Sequence, residues 1–344
     1  MNLADLNKVA LAMVAPGKGI LAADESTGTI KKRFDAINVV STEENRRDYR
    51  EMLFRSSEAM SRYISGVILY DETIWQNAKD GTPLVKLIEQ AGAIPGIKVD
   101  EGTQALPECP GELVTVGLDK LADRLKKYYE RGARFAKWRA VIDIGGGARP
   151  IPSMTAIHVN AHALARYAAL CQAAQIVPIV EPEVLMDGDH DIDRCYEVTQ
   201  RVLNKTFQEL RIQRVALEGM ILKPNMAVPG KKSSKQVSVE EVAEKTVRML
   251  KACVPAAVPG IAFLSGGQSD EEATAHLDAM NRIGGLPWRL TFSYGRALQA
   301  APQKAWSGKA ENVAAGQRAF AHRARMNSLA TSGEWKADLE RKAA

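Results

Sequence analysis

Lys223 ends a short apolar run, 220–222, and is followed at once by Pro224. Burying a charged amine is costly unless it is paired or neutralised, so this placement favours a reactive lysine. Desolvation by the apolar run, together with like charge from Lys137 or Lys98, favours the neutral amine. Because a neutral amine attacks carbonyls to form a Schiff base, Lys223 is predicted to be a nucleophile. The alternative is a lysine at a strand terminus whose ammonium reaches solvent.

Two pairs of charged residues stand at alternate positions of apolar runs, Lys137 with Arg139 and Glu181 with Glu183. Since side chains alternate across a strand, the members of each pair point to the same side. Two close carboxylates beside lysines hold different protonation states, so Glu181 and Glu183 are predicted general acid/base groups. Dehydration of a carbinolamine requires such an acid. The alternative is a strand end whose carboxylates bind helix termini.

Small, hydroxyl and basic residues form two predicted anion sites. The first comprises Ser265, Gly266, Gly267, Ser293, Gly295 and Arg296, and the second comprises Ser26, Thr29, Lys32 and Arg33. Backbone N–H groups approach an anion closely at small residues, and arginine forks suit phosphate oxygens. A capped and solvated basic helix is the alternative for the second site. Two anion sites around one reactive lysine predict a substrate with two phosphates.

Eight apolar or β-branched runs are predicted to be strands, and helical patterns lie between them. The predicted strands are 20–26, 66–72, 94–100, 135–142, 177–183, 219–224, 260–265 and 289–294, and the clearest helices are 118–132, 158–174, 192–210 and 239–254. This alternation predicts a single (β/α)8 TIM barrel, an α/β fold, as one domain over residues 1–344 with an N-terminal helix and a C-terminal helical segment. An open doubly wound sheet is the alternative, but its first turn would carry a glycine-rich dinucleotide motif, which 24–28 does not match.

The barrel gives the charged residues a location. Asp24, Lys98 and Lys223 also lie inside or at the end of predicted strands. In such barrels, residues at the C-terminal strand ends are typically catalytic. The alternative is a set of charge pairs that fills the barrel interior, which is expensive for so many charges.

Composition narrows the classes of function. The 344 residues include 46 Lys and Arg against 41 Asp and Glu, a net charge of +5 without a basic block of the nucleic-acid-binding type. Four scattered cysteines indicate neither a zinc framework nor a redox motif. The acidic loop 187–193 does not match a calcium loop, and the His158 and His162 pair lacks a surrounding zinc motif, so no metal and no cofactor is expected. The segment 145–147 is predicted to be a loop, and no stretch is predicted to span a membrane.

Taken together, the motifs resemble class I fructose-1,6-bisphosphate aldolases, the metal-free Schiff-base family. The matching segments are 17–28, 43–47, 96–100, 135–139, 177–183, 222–226, 263–268 and 292–300. The resemblance covers roughly nine-tenths of the chain and implies a (β/α)8 barrel. It also implies cleavage of fructose 1,6-bisphosphate in glycolysis and gluconeogenesis, a homotetramer and a cytoplasmic location.

The resemblance also implies roles for individual residues. Lys223 attacks the C2 ketone, Glu181 transfers protons, and Asp24 helps to deprotonate the C4 hydroxyl. Lys137 and Glu183 balance the charge of the site, with Arg139 beside them. The C1 phosphate contacts are Ser265, Gly266, Gly267, Ser293 and Arg296, and the C6 phosphate contacts are Ser26, Lys98 and Thr29, with Lys32 and Arg33 beside them.

One feature departs from the family pattern. Members commonly end in a mobile tail with a terminal tyrosine that assists enamine protonation, whereas this sequence has no tyrosine after Tyr294. If the tail is absent by nature, we expect slower release of the ketose-phosphate half. The alternatives are a Schiff-base aldolase that prefers sedoheptulose 1,7-bisphosphate or fructose 1-phosphate, and a non-catalytic sugar-phosphate scaffold.

Overall fold

The computed structural model describes residues 1–145 and 150–342, and these contain ten strands. The strands are β1 (Gly19–Ala23), β2 (Ile64–Leu69), β3 (Ile94–Lys98), β4 (Thr103–Ala105), β5 (Leu113–Thr115), β6 (Phe135–Ile142), β7 (Val177–Val184), β8 (Ile221–Leu222), β9 (Gly260–Phe263) and β10 (Arg289–Tyr294). Eight of them close into a barrel in the order β1-β10-β9-β8-β7-β6-β3-β2, and all neighbours are parallel. The prediction of a (β/α)8 barrel is therefore confirmed. The remaining two, β4 and β5, form an antiparallel pair.

Helices surround the barrel. They are α1 (Leu3–Met13), α2 (Thr27–Asp35), α3 (Glu43–Phe54), α4 (Ser57–Arg62), α5 (Asp71–Trp75), α6 (Leu84–Gln90), α7 (Leu121–Arg131), α8 (Met154–Ala173), α9 (Ile192–Ile212), α10 (Val239–Cys253), α11 (Asp270–Ile283), α12 (Arg296–Trp306) and α13 (Val313–Ala330), with 3-10 turns at Leu217–Gly219, Ala310–Asn312 and Ala337–Lys342. Across the described ranges, no helix combines the length and the apolar character needed to cross a membrane.

The inside of the barrel is apolar towards the N-terminal ends of most strands. Ile20, Ile68 and Ile179 pack there with Phe135, and α1 contributes to the same cluster. The ring of Phe135 occupies the space beside Gly96, where a Cβ would overlap it. Because apolar side chains fill this end and water is excluded from it, a polar site fits only at the other end, where the strands terminate.

Several predicted boundaries were wrong by a few residues. The predicted strand 66–72 ends at Leu69, and Glu72 lies in α5. The predicted strand 219–224 shrinks to Ile221–Leu222, because the preceding residues form a 3-10 turn and Pro224 has no N–H to donate to a ladder. The predicted strands 135–142 and 289–294 have the predicted bounds. Most of the predicted loop 145–147 and the last two residues, 343–344, lie outside the described residues.

Candidate active site

A cavity of about 670 Å³ opens at the C-terminal ends of the barrel strands. The predicted site residues that line it are Asp24, Ser26, Thr29, Arg33, Lys98, Lys137, Arg139, Glu181, Glu183, Lys223, Ser265, Gly266, Ser293, Gly295 and Arg296. Two predicted residues do not line it. Lys32 is exposed on α2, and Gly267 lies in the loop after β9 against a neighbouring cavity. The fold thus brings together nearly all the side chains that sequence reasoning singled out.

Four charged groups form the centre of the cavity, of which Lys137, Glu181 and Lys223 are buried and Asp24 is partly buried. Glu181 Oε1 lies 3.1 Å from Lys223 Nζ, and Glu181 Oε2 lies 3.3 Å from Lys137 Nζ. Lys137 Nζ lies 2.7 Å from Asp24 Oδ2. The side chains of both lysines are 5% exposed and that of Glu181 is 4% exposed. Two cations alternate with two anions, so the quartet is neutral overall and each buried charge has an opposite neighbour.

The strand positions explain this arrangement. Lys137 lies within β6 and Glu181 within β7, with Arg139 in register with Glu181 across the two strands. Lys223 directly follows β8, and its backbone N–H donates to the Val180 carbonyl at 2.8 Å. Lys223 is therefore fixed beside β7 by main-chain pairing, and its side chain lines the cavity.

The quartet changes the acidity of its members. Burial opposes the ionisation of Asp24, but Lys137 and Lys223 outweigh it and lower the pKa of Asp24 to about 2. Burial likewise opposes the ionisation of Glu181, yet Lys137 and Lys223 hold its pKa below the ordinary value. Burial disfavours the Lys137 ammonium, but Asp24 and Glu181 raise the pKa of Lys137 above its usual range. Lys137 is thus a permanent cation, and Asp24 and Glu181 are carboxylates at neutral pH.

Two further ion pairs flank the quartet. Arg139 Nε donates to Glu183 Oε2, and burial of the guanidinium is outweighed by Glu183, so the pKa of Arg139 is raised. Lys98 Nζ lies 3.1 Å from Asp100 Oδ1. Asp100 was missed by sequence reasoning, although it stands two residues after Lys98 and therefore on the same side of an extended segment. It is buried, and it also accepts a hydrogen bond from the Arg139 N–H at 3.3 Å.

The C-terminal end of β10 and the loop after β9 present groups suited to an anion. Ser293 is 1% exposed, and its Oγ has no hydrogen-bond partner among the residues that the structure describes. A buried hydroxyl without a partner is destabilising unless a ligand or water meets it. Gly267 has φ +78°, and a Cβ there would overlap Met186, so the turn that follows Ser265 requires glycine.

The opposite side of the cavity is built on the start of α2. The Ser26 side chain caps this helix by accepting from the Thr29 N–H at 3.4 Å, and the two hydroxyl oxygens lie 3.1 Å apart. Arg33, one turn further along α2, binds Glu25. Glu25 was also missed by sequence reasoning, since its neighbours Asp24 and Ser26 carried the motif. Hydroxyl donors, backbone N–H groups at a helix start and an arginine together favour an anionic ligand.

Metal ligands are not grouped in this site. In residues 1–145 and 150–342, no set of three His, Cys, Asp or Glu side chains is arranged to hold a metal ion. The four cysteines are free. Asp191 of the acidic loop caps α9, and Asp187 lies 2.7 Å from Lys231 Nζ. His158 and His162 lie on α8 and contact Glu209.

Proteins of known family are similar to this chain in sequence. The family model described as fructose-bisphosphate aldolase class-I matches residues 5–344. A probable fructose-bisphosphate aldolase class 1 from Xanthomonas campestris pv. campestris is 58% identical, covering 98% of this chain and all of the relative. A cytosolic fructose-bisphosphate aldolase 4 from Arabidopsis thaliana is 56% identical, covering 94% of this chain and 82% of the relative.

A solved structure agrees with these relatives. The fructose-bisphosphate aldolase of Plasmodium falciparum, in complex with TRAP and a small-molecule inhibitor, superposes with a TM-score of 0.94 at 49% identity, covering 97% of this chain and 96% of that one. Since the family model spans nearly the whole sequence and the two relatives are 58% and 56% identical over the aligned residues, this chain belongs to the class I fructose-bisphosphate aldolases, which are carbon–carbon lyases.

Proposed function

We propose that this enzyme cleaves fructose 1,6-bisphosphate reversibly to dihydroxyacetone phosphate and glyceraldehyde 3-phosphate through a Schiff base on Lys223, without a metal or cofactor. The observation that carries the proposal is the buried pair of Lys223 Nζ and Glu181 Oε1, 3.1 Å apart inside the cavity. A lysine nucleophile needs a base beside it, and this carboxylate is within proton-transfer distance.

Proton transfer within this pair prepares both reactants of the first step. When the Lys223 ammonium gives a proton to the Glu181 carboxylate, a neutral amine and a carboxylic acid form together. The amine attacks the C2 carbonyl of the open-chain sugar, and Glu181 then protonates the carbinolamine oxygen, which leaves as water. Lys137 stays charged throughout, because Asp24 and Glu181 raise its pKa, and it stabilises the carboxylates as the proton moves.

Carbon–carbon cleavage follows from the iminium. Asp24, whose pKa is lowered to about 2, is ionised and accepts the proton of the C4 hydroxyl. The electrons of the C3–C4 bond move into the iminium, which becomes an enamine, and the aldehyde is released. Protonation at C3 and attack of water on the resulting iminium then free dihydroxyacetone phosphate and restore Lys223. The iminium is the electron sink in this sequence, so the reaction needs no metal.

Two phosphate sites hold the ends of the substrate. Ser265 after β9, Ser293 in β10 and Arg296 at the start of α12 suit the C1 phosphate. Ser26, Lys98 and Thr29 suit the C6 phosphate, with Arg33 beside them. The support is the position of both groups on the wall of one cavity that also contains Lys223. Binding energy from both phosphates orients the C2 carbonyl against the amine.

We further propose that the enzyme acts in the cytoplasm as a homotetramer. The relatives from Arabidopsis thaliana and Pisum sativum carry the words cytosolic or cytoplasmic in their names. The tetramer rests on the family resemblance. Light scattering of the purified enzyme should give a particle of about four times the 37.5 kDa mass of one chain. A particle with the mass of a single chain, at the concentration used in activity assays, contradicts this assembly.

A comparison of two lysine variants tests the proposed chemistry. Lys223→Met removes the nucleophile and should abolish cleavage of fructose 1,6-bisphosphate. Lys231→Met removes an exposed lysine that pairs with Asp187, and it should retain wild-type activity. Cleavage should also persist in excess chelator. Residual activity of Lys223→Met above the uncatalysed rate, or full loss of wild-type activity in chelator, contradicts the proposal.

A further inference from the structure

Two arginines that line the cavity, Arg33 and Arg296, are called here the mouth arginines, and both are held in place by the same kind of contact. Each binds a carboxylate, Glu25 or Asp270. Each of those acidic residues is in turn contacted by a second arginine that is buried in the helical layer. The two buried arginines lie on different helices, Arg50 on α3 and Arg323 on α13, although α12 contributes Gln299 to the first arrangement and Arg296 to the second.

The first arrangement is centred on Arg50 of α3. Its side chain is 1% exposed, and its Nη2 donates to the Glu25 carbonyl at 3.0 Å and lies 3.7 Å from Glu25 Oε2. On the other side its Nη1 lies 3.7 Å from Glu72 Oε1. Glu25 Oε1 accepts from Arg33 and, at 2.6 Å, from Gln299. Glu25 is therefore held in place by three donors, and it presents Arg33 to the cavity.

The second arrangement is centred on Arg323 of α13, whose side chain is 5% exposed. Its Nη2 donates to the Asp270 carbonyl at 3.0 Å and to Thr274 Oγ1 at 2.7 Å. Its Nη1 lies 2.6 Å from Glu340 Oε2. The Asp270 carboxylate binds Arg296 Nη1 at 3.1 Å. As in the first arrangement, an acidic residue lies on either side of the buried arginine, but Arg323 contacts the backbone carbonyl of Asp270 and forms its ion pair with Glu340.

A buried guanidinium is an expensive way to fill space, because desolvating it is offset only by well-placed partners. Arg50 Nε and Nη1 and Arg323 Nε have no hydrogen-bond partner among the described residues, so neither arginine is optimised for stability alone. The planar guanidinium of an arginine can, however, bind a backbone carbonyl and a carboxylate at the same time and so fix their relative position. The ammonium of lysine, on its flexible side chain, cannot do this. Both forks fix the residue that holds a mouth arginine.

We propose that Arg50 and Arg323 are positioning residues for phosphate binding, the first acting through Glu25 on Arg33 and the second through Asp270 on Arg296. The proposal rests on the proposed function, in which both mouth arginines serve the substrate phosphates. Neither buried arginine touches the substrate. Each fixes the direction from which a guanidinium meets phosphate oxygens, and so sets the affinity for the phosphate rather than the rate of carbon–carbon cleavage.

Double-mutant cycles test this coupling. Arg50→Lys and Arg323→Lys keep the buried charge and remove the fork. Each should raise KM for fructose 1,6-bisphosphate, and the inhibition constant of inorganic phosphate, by roughly three- to tenfold, the size expected for one hydrogen bond. The kcat should stay within twofold. In an Arg33→Ala background Arg50→Lys should have no further effect, and in an Arg296→Ala background the same should hold for Arg323→Lys.

The crossed pairs serve as internal controls. In these pairs the two fold-changes in KM should multiply, because the residues belong to different arrangements. The pairs are Arg50→Lys with Arg296→Ala and Arg323→Lys with Arg33→Ala. Glu209→Gln is the matched control, since Glu209 is also buried and ion-paired but lies on α9 with Lys205, away from the cavity; its KM should be unchanged. Urea unfolding confirms that each variant is folded.

Several outcomes overturn the proposal. It fails if the fold-changes in KM also multiply for two residues of the same arrangement, such as Arg50 and Arg33. It also fails if kcat falls as much as KM rises, or if Glu209→Gln raises KM by the same factor. If Arg50→Lys does not fold, Gln299→Leu replaces it, because Gln299 also donates to Glu25, and the effect of Gln299→Leu on KM must likewise vanish in the Arg33→Ala background. A wild-type enzyme that does not cleave the bisphosphate contradicts the proposed function instead.

Discussion

Replacing Glu181 with glutamine changes one charge at the centre of the site and almost no volume. The wild-type carboxylate lies 3.1 Å from Lys223 Nζ and 3.3 Å from Lys137 Nζ. Glutamine keeps the shape but neither accepts the lysine proton nor donates one to the carbinolamine. The quartet also changes from neutral to a net charge of +1, because Asp24 alone then faces two ammonium groups.

The expected magnitude follows from these two losses. General acid–base catalysis contributes about 10²- to 10⁴-fold, so kcat should fall by that factor, which corresponds to about 3 to 5 kcal/mol in the activation barrier. KM should change little, because Glu181 is not among the proposed phosphate contacts. Removing one partner of a buried ion pair should also lower the free energy of unfolding by about 3 kcal/mol.

Steady-state kinetics and urea unfolding of the same preparation measure both effects. Glu209→Gln is the control, since it neutralises a buried, ion-paired carboxylate on α9 and should leave kcat unchanged. A kcat for Glu181→Gln within tenfold of the wild-type value refutes the role of Glu181 as proton donor and acceptor. A rise in KM that accounts for the whole loss of activity refutes it equally.

Three further results are expected. The pKa of Asp24 is lowered from 3.8 to about 2, so its contribution to stability is present above pH 3.8 and is lost as the pH falls through about 2. In urea unfolding, the difference in free energy of unfolding between wild type and Asp24→Asn should therefore shrink over that interval. A constant difference contradicts the ion-paired carboxylate. Gly267→Ala should lower the free energy of unfolding by about 1 to 3 kcal/mol, because φ is +78° and Met186 occupies the space of the new Cβ; an unchanged urea midpoint contradicts this. Ser293→Ala should raise KM about tenfold without loss of stability, since its hydroxyl has no partner among the described residues, and a loss of stability with unchanged KM argues for a structural role.

The barrel was predictable because its signal is repeated. Eight apolar runs separated by helical patterns leave few other topologies, and runs such as 135–142 had the predicted bounds. The bounds of the strand Ile221–Leu222 were harder to predict, since Met220 before it is also extended and the N–H of Lys223 after it still bonds to β7. The pair β4 and β5 was missed, because its strands have three residues each, too few for an alternating apolar pattern, and β4 is fully exposed.

The centre of the site was predictable for a different reason. Charges inside apolar strands are rare, so Lys137 and Glu181 were conspicuous. The supporting layer was not, because Arg50 lies among the many other charges of α3 and Arg323 is one of three arginines on α13. A weak signal did exist for Arg50, which stands with Tyr49 and Leu53 on the buried face of α3.

Mass-spectrometric mapping of a reduced adduct tests the central claim most directly. The enzyme is incubated with dihydroxyacetone phosphate and reduced with borohydride, and the modified peptide is sequenced. The proposed chemistry predicts one adduct per chain, on Lys223, that is absent from Lys223→Met and still present in Lys231→Met. An adduct on Lys137 or Lys98 instead, or no adduct at saturating ligand, contradicts it.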